Sequence, residues 1–512
     1  MLARKTVFVI LKEGISGVVG FITLFFVARF MGAEPLGVAS FALAFVNVFT
    51  IVADLGFNAS HVKRVSEMPD DSGYVSKCIA VYIRFKITLV LIGLGLLTAF
   101  MLLMEVLHIN FYDSTYPEVV YIMIGYFLIN QVMSIPKFTC EAKLQIYRSQ
   151  IAALAGVVGK DLLVIGASVL MTLGPYTIAQ KGIALATGYL MEALIAAIIL
   201  YVFFLKEEKI GKYDKELARR YLEFALPFFP VAIFSMLAVS ADRLTIGYFW
   251  DAKEVGIYTA LQSISGMLMV IQTAVTMVLF PTVSLEHKGG NLREISRLTK
   301  DAIKYTLIVV MLIGAAITVF SASIIHVILS DEFLAGEYCF IFLTWYYILF
   351  SVGNIAGITL GGTDRPKLGA KITLVSAVSN ILLNFLFVPF YKAAGAAIAT
   401  LISGLLYLVL AVYFSRKVLH TNVLSLSAVK ILAAGWITIL VFSAVKLAIL
   451  PAPTETRIYT LAPLLLGLGV FFLLILHLLG EFGKQEVEFF RKVLHIKEMG
   501  RGIKEELKLK GK

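Results

Sequence analysis

Apolar runs of about twenty residues recur along nearly the whole chain, and that recurrence decides which solvent it folds in. A run of this length crosses a hydrocarbon core of roughly 30 Å as a helix. Lipid offers an open backbone no hydrogen bonds, so helices are the default spanning form. The runs place spans at 10–31, 36–58, 79–104, 118–137, 150–173, 181–204, 224–249, 256–283, 303–329, 337–361, 369–390, 394–415, 428–450 and 458–480. With 59% hydrophobic and 15% charged residues among 512, the chain carries more apolar surface than a water-soluble core could bury. The expectation is an all-α integral membrane protein of about fourteen transmembrane helices.

Arg4 and Lys5 precede the first run as they would in a secretory signal. No small-residue cleavage pattern follows, and further spans do, so the run is expected to be helix 1. Lysine and arginine divide unevenly between the connections. With the N-terminus inside, 35 fall on the inner side and five, Arg29, Lys181, Lys253, Lys392 and Arg457, on the outer. This asymmetry predicts a multi-pass cell-membrane protein with both termini in the cytoplasm. The formal net charge of +11 then reports orientation and not nucleic-acid binding.

Every outer connection is short, the longest running from about Glu105 to Pro117. Multipass glycosyltransferases and ligases carry a sizeable outer loop with catalytic carboxylates, and no such domain has room here. A non-enzyme is expected, without cofactor or metal. Cys78, Cys140 and Cys339 are too scattered for a zinc site or a disulfide framework. The stretch from Gly156 to Asp161 lacks the spacing and the Ser/Thr of a phosphate-binding loop, so ATP hydrolysis by this chain is not expected.

The chain also repeats itself. Phe30, Ala33 and Gly37 recur 219 residues later as Phe249, Ala252 and Gly256. Gly182, Ala184, Ala186 and Thr187 recur 213 residues later as Gly395, Ala397, Ala399 and Thr400. Six spans separate the paired elements, and an even number preserves their direction, so the halves are parallel repeats. The domains expected are an N-terminal lobe at 1–204 (helices 1–6), a cytoplasmic linker at 205–223 and a C-terminal lobe at 224–415 (helices 7–12). Helices 13 and 14 follow at 416–480, and a basic cytoplasmic tail at 481–512. In the tail Phe489, Val493 and Ile496 fall at helical spacing, which suits either an amphipathic surface helix or solvated charge.

Ala28 to Gly37, the Asp54-Leu55-Gly56 end of helix 2, Ala225-Leu226-Pro227, Asp242-Arg243, Glu254 to Tyr258 and Gly395 to Thr400 follow one another in a specific order and spacing. In these segments the sequence resembles the polysaccharide-flippase branch of the multidrug/oligosaccharidyl-lipid/polysaccharide exporter superfamily. The resemblance implies two six-helix lobes around a central cavity lined mainly by helices 1, 2, 7 and 8. It also implies alternating access and a lipid-linked oligosaccharide, of polyprenyl phosphate or pyrophosphate type, carried from the cytoplasmic to the outer leaflet for surface polysaccharide or glycoconjugate synthesis. Lipid II flippases are similar in topology but have several arginines in helix 1, where this chain has Lys12 and Arg29 near the ends.

Ionisable side chains inside a bilayer cost a few kcal/mol or more and mark a pathway or a pair. Asp242 and Arg243 lie well inside helix 7 and point about 100° apart, so they cannot satisfy one another along one face. Arg243 suits an anionic phosphate or pyrophosphate, for which a guanidinium fork is shaped; an ion pair with another helix is the alternative. Ser40, Asn47 and Asp54 form a stripe at seven-residue spacing on helix 2. Tyr258, Gln262, Ser265, Gln272 and Thr276 form a comparable face on helix 8. Such stripes either line water, where neutral groups and rings read sugar hydroxyls, or join helices by hydrogen bonds. Arg29, at the outer end of helix 1, completes the cavity candidates.

Arg84 and Lys86 are expected to snorkel to the cytoplasmic head groups. Lys160 and Asp161 read as a pair or a cation site, and Glu192 and Lys446 as isolated charges. The expected partners are a lipid-linked oligosaccharide, membrane lipids and a coupling ion the sequence does not identify. A multidrug and toxin extrusion antiporter, using Asp54 or Asp242 to exchange protons or sodium for an organic cation, is the competing function. A non-transporting scaffold for glycan assembly is a third.

Overall fold

The computed structural model describes residues 2–106, 116–226, 229–449, 457–484 and 486–488, and these contain helices and turns without a strand. The helical positions proposed for Phe489, Val493 and Ile496, and Pro227 of the family-like segment, lie outside the described residues. In chain order the helices are α1 (Leu2–Phe26), α2 (Ala33–Asp54), α3 (Phe57–Glu67), α4 (Ser72–Val106), α5 (Pro117–Ala142), α6 (Ile146–Leu170), α7 (Ile178–Glu207) and α8 (Lys215–Ala225). They continue with α9 (Phe229–Phe249), α10 (Ala252–Gly266), α11 (Leu268–Lys288), α12 (Leu292–Ile328), α13 (Glu337–Gly362), α14 (Pro366–Leu419), α15 (Leu426–Ile449) and α16 (Ile458–Leu478).

Thirteen helical segments among the described residues are long and apolar enough to cross a membrane. One of them, α14, has 54 residues. A straight helix of that length would run about 80 Å, far beyond one bilayer crossing. It turns back at Lys392, whose φ of 55° and ψ of −136° are not helical, so it supplies two crossings and the total is fourteen. The eighth expected span differs from the reading as one helix, because the chain breaks at Met267 into α10 and α11.

The other breaks have local causes. A π-helical turn, Val27–Met31, ends at Gly32, whose φ of 95° suits a residue without a Cβ. The end of α2 is made by Leu55 and Gly56, both at positive φ, 43° and 84°. The 37-residue α12 kinks at Phe320. There Lys446 of α15 donates to the Val319 carbonyl at 2.9 Å, so Lys446 has a partner and is not an isolated charge.

Two bundles result. In the first, α1 packs on α6, and α2 packs against α4, α5 and α7. In the second, α14 packs against α9 and α13, and α13 against α11 and α12. The pair α15 and α16 leans on α12. Along the bundle boundary α2 lies against α10 and α9.

The amphipathic α8 buries Leu217, Ala218, Tyr221 and Ala225, and it packs on α3 and α4. There His61 is fully buried, 2.9 Å from both the Tyr221 hydroxyl and Thr139 Oγ1, and stacks on Tyr82. Lys86 is buried as well and does not snorkel. The α2 terminus leaves the Ala53 carbonyl open, and the Lys86 ammonium donates to it and to Gln131 Oε1, each at 3.0 Å. Arg84 stays exposed, its guanidinium over the Tyr213 ring.

Candidate functional site

At the end of the molecule where α2 and α10 begin, the two bundles touch backbone to backbone. A Cβ placed on Gly37 would lie 1.6 Å from the Ala252 carbonyl oxygen, and one on Gly256 would lie 1.8 Å from that of Ala33. The two repeats therefore meet through their own repeated residues, as small-residue spacing permits. Around this crossing Arg29 donates to the His326 and Val327 carbonyls at the C-terminus of α12, where a cation is favoured. Glu332 accepts from the Ala33 amide at 3.0 Å and pairs with Lys253. This end is sealed.

Below the seal an inter-bundle cavity of about 420 Å³ is lined by α1, α2, α6, α7 and α10. Ser40 of α2 and Thr259 and Ser263 of α10 share it, with Glu13, Lys160 and Asp161 as its charged groups. Lys160 pairs with Glu192 of α7 at 3.0 Å and lies 3.7 Å from Asp161, so Glu192 is not isolated. Asp161 is 2% exposed and its Oδ2 has no hydrogen-bond partner among the described residues. A neighbouring hollow shares Glu13, Gly266 and Val270 and continues along α11 as far as Met277, in the direction of the lysine-rich connections.

A second cavity, of about 600 Å³, lies inside the second bundle among α9, α10, α13 and α14. Asp242 and Arg243 both line it, with Gln262, but they do different things. Asp242 is buried and accepts hydrogen bonds from Tyr258 (2.5 Å), Asn384 (2.7 Å), Thr400 (3.2 Å) and Asn380 (3.4 Å). These donors sit on α10 and α14, so the carboxylate ties both to α9. Neutral donors take the place an ion pair would fill. Amide and hydroxyl oxygens around a single carboxylate are also the donor set of a hard cation.

Arg243 is half-buried and donates to Thr259 Oγ1 at 3.2 Å and Gln262 Oε1 at 2.5 Å. No carboxylate lies within ion-pair distance of it among the described residues. Thr259 lines the inter-bundle cavity and Gln262 the second one, so the guanidinium stands in the partition between them.

The remaining candidates disperse. Tyr258 is fully buried beneath Asp242. Ser265 is buried against Thr344 of α13 at 3.3 Å. Gln272 is buried and donates to Asn354 of α13 and to Thr276. Asp54 accepts from the Asn58 amide at 3.1 Å and caps α3. Asn47 is half-buried and lines neither cavity. Of the α2 stripe only Ser40 lines the inter-bundle cavity, across from Thr259 and Ser263 of α10, which lie outside the proposed helix 8 face. Of that face Gln262 lines the second cavity, and Asn47 and Gln262 do not meet.

Sequence reasoning missed Asn380 and Asn384, although two amides one helical turn apart in an apolar span are a readable signal. It also missed the rings of Tyr346, Tyr347, Phe350 and Tyr407 in the second cavity. Nothing in their spacing separates them from ordinary membrane-helix aromatics.

Two bundles of membrane-spanning helices that flank polar cavities and are sealed at one end define a membrane transporter. The chain belongs to the polysaccharide-flippase branch of the multidrug/oligosaccharidyl-lipid/polysaccharide exporter superfamily. It matches the family described as polysaccharide biosynthesis protein over residues 2–285 and that described as lipid II flippase MurJ over residues 162–469. It is 25% identical to the probable low-salt glycan biosynthesis flippase Agl15 of Haloferax volcanii, over 83% of this chain and 84% of that one. It is 20% identical to the putative O-antigen transporter of Escherichia coli K12, over 81% of this chain and 97% of that one. The fold is similar to that of lipid II flippase MurJ in an inward closed conformation, with TM-score 0.72, 15% identity, and 95% of this chain and 99% of that one covered. An inward-facing multidrug resistance MATE transporter gives TM-score 0.62 at 15% identity, covering 79% and 94%.

Proposed function

We propose that this flippase carries a lipid-linked oligosaccharide, of polyprenyl phosphate or pyrophosphate type, from the cytoplasmic to the outer leaflet by alternating access. The observation that carries the reading is Arg243, a cation without a carboxylate partner among the described residues, standing between two polar cavities below a sealed end. A guanidinium so placed suits a phosphate, because it already holds one edge of its fork in position. On this reading the lysine-rich end is cytoplasmic, both termini lie on the cytoplasmic side of the cell membrane, and the arrangement faces inward. The moving units are residues 1–204 and 224–415, joined by the linker at 205–223, with 416–480 beside the second. Asp161 and Asp242 are the places where a proton or small cation would couple to the motion.

The acidic lining of the inter-bundle cavity, Glu13 and Asp161 against Lys160, supports a second reading, a cation antiporter. One experiment separates the two. Protein reconstituted in liposomes with a polyprenyl-diphosphate-linked N-acetylglucosamine should expose the sugar to an external modifying enzyme faster than protein-free liposomes do. Sugar exposure at the protein-free rate, with uptake of a fluorescent organic cation, would replace the flippase by the antiporter.

A further inference from the structure

The second cavity has two unlike walls. One is aromatic: Tyr346, Tyr347 and Phe350 of α13 and Tyr407 of α14 form a continuous series with neighbouring ring centroids 4.9, 5.5 and 5.0 Å apart. Glycines seat these rings. A Cβ on Gly404 would lie 2.5 Å from the Tyr346 ring, and Cβ atoms on Gly353 and Gly357 would lie 3.0 Å from the ring and hydroxyl of Tyr407. Larger residues at those positions would push the rings out of line, so the shelf is held in place before any ligand arrives.

The hydroxyls of Tyr346, Tyr347 and Tyr407 make no hydrogen bond among the described residues. The fully buried Tyr82, Tyr221 and Tyr258 each donate one. A tyrosine with an apolar body and an unused polar tip at a cavity is equipped for a ligand that presents both characters. The other wall is polar, carrying Ser376, Asn380 and Ser403 around the Asp242 carboxylate, whose oxygens already accept from Tyr258, Asn380, Asn384 and Thr400, and the Arg243 cation stands beside it.

Resting on the flippase reading above, we propose that this cavity is a glycan subsite in which a pyranose ring lies on the Tyr346–Phe350–Tyr407 shelf beside a phosphate held at Arg243. A pyranose has an apolar C–H face and a rim of hydroxyls, which match the aromatic wall and the amide and hydroxyl wall respectively. An acyl chain would leave the polar wall unsatisfied. An organic cation would suit the rings but meets the Arg243 charge, and the carboxylate that could offset it, Asp242, is buried and already accepts four hydrogen bonds. The volume of about 600 Å³ lies in the range of small-ligand sites. The partition position of Arg243 then puts the phosphate at the mouth, the sugar in the second cavity and the carrier lipid toward the bundle boundary.

The test compares two probes on the full chain in lipid nanodiscs: polyprenyl diphosphate, and the same lipid bearing one N-acetylglucosamine. Wild type should bind the sugar-bearing probe about tenfold tighter, the scale of a good aromatic contact. Phe350→Leu and Tyr407→Leu should bring its affinity down to that of the sugar-free probe, while Tyr407→Phe should keep part of the difference. Equal binding of the two probes by wild type would overturn the subsite and leave the flippase reading standing. Binding of neither would overturn both. A sugar preference that survives in the Tyr346→Leu/Phe350→Leu/Tyr407→Leu variant would move the sugar elsewhere.

Discussion

Gly37 and Gly256, which correspond in the two halves of the sequence, face one another where α2 crosses α10, and the space a Cβ on each would need is filled by the carbonyl of Ala252 and of Ala33 respectively. The contact is tight in both directions, because the nearest atoms are backbone and cannot rotate away. Gly37→Ala or Gly256→Ala should therefore part the helices at this end. Overpacking of this kind costs about 1–3 kcal/mol. The measurement is cross-linking of a Glu34→Cys/Lys253→Cys pair, which should weaken several-fold in either glycine variant. Undiminished cross-linking would show that the seal does not depend on the glycines.

Stability should fall as the pH drops below about 6.5, and His61 is the cause. Burial, with Lys86 as a smaller contributor, pushes its pKa from the ordinary 6.5 down to about 3. A folded-state value below the unfolded one means that the unfolded chain binds the proton first, so the stability from neutral His61 is present above pH 6.5 and lost on acidification. By pH 5 the loss should reach roughly 2 kcal/mol. Melting temperatures of the detergent-solubilised protein between pH 7.5 and 5 would show it. His61→Gln, neutral throughout, should flatten that slope, and an equal slope in the variant would clear His61.

The fold class was legible because lipid imposes one rule on every span, and the repeat was legible because Ala33 and Gly37 recur in register as Ala252 and Gly256. Less local features were not. The partners of Asp242 on α14 lie 138 to 158 residues away, and no spacing rule reaches that far. Lys86 read as a snorkelling cation because its acceptor is a backbone carbonyl freed where α2 ends, a feature of geometry without a residue signature. The break at Met267 follows Gly266 without a proline, so the apolar pattern runs through it unmarked.

Asp242 should behave as a keystone of the second bundle. Hydrogen bonds to a charged acceptor are worth about 1.5–3 kcal/mol each, and four groups donate to this one. Asp242→Ala leaves Tyr258 and Thr400 without an acceptor and takes one of several from Asn380 and Asn384, and Asp242→Asn keeps the shape but replaces one acceptor oxygen by a donor. Both should lower the monodisperse fraction on size exclusion, the alanine variant more. Full yield from Asp242→Ala would mean that the network does not hold α9 to α10 and α14.

Arg243 should behave in the opposite way. Its hydrogen bonds run to Thr259 and Gln262, both neutral, and the buried Asp242 beside it keeps its own four donors, so removing it breaks no ion pair. A broken buried ion pair costs about 3–5 kcal/mol because the surviving charge is left uncompensated, and that penalty does not arise here. Arg243→Ala should therefore insert and purify at close to wild-type abundance. Transport is another matter if the guanidinium meets the phosphate of the cargo. Arg243→Lys keeps the charge but loses the planar fork, so it should retain partial export, while Arg243→Ala should lose most of it. Thr259→Val and Gln262→Leu loosen the guanidinium without removing it and should fall between. Membrane abundance and glycan export, measured in the same cells, separate the two kinds of failure. Export at the wild-type rate by an abundant Arg243→Ala protein would take Arg243 out of cargo recognition.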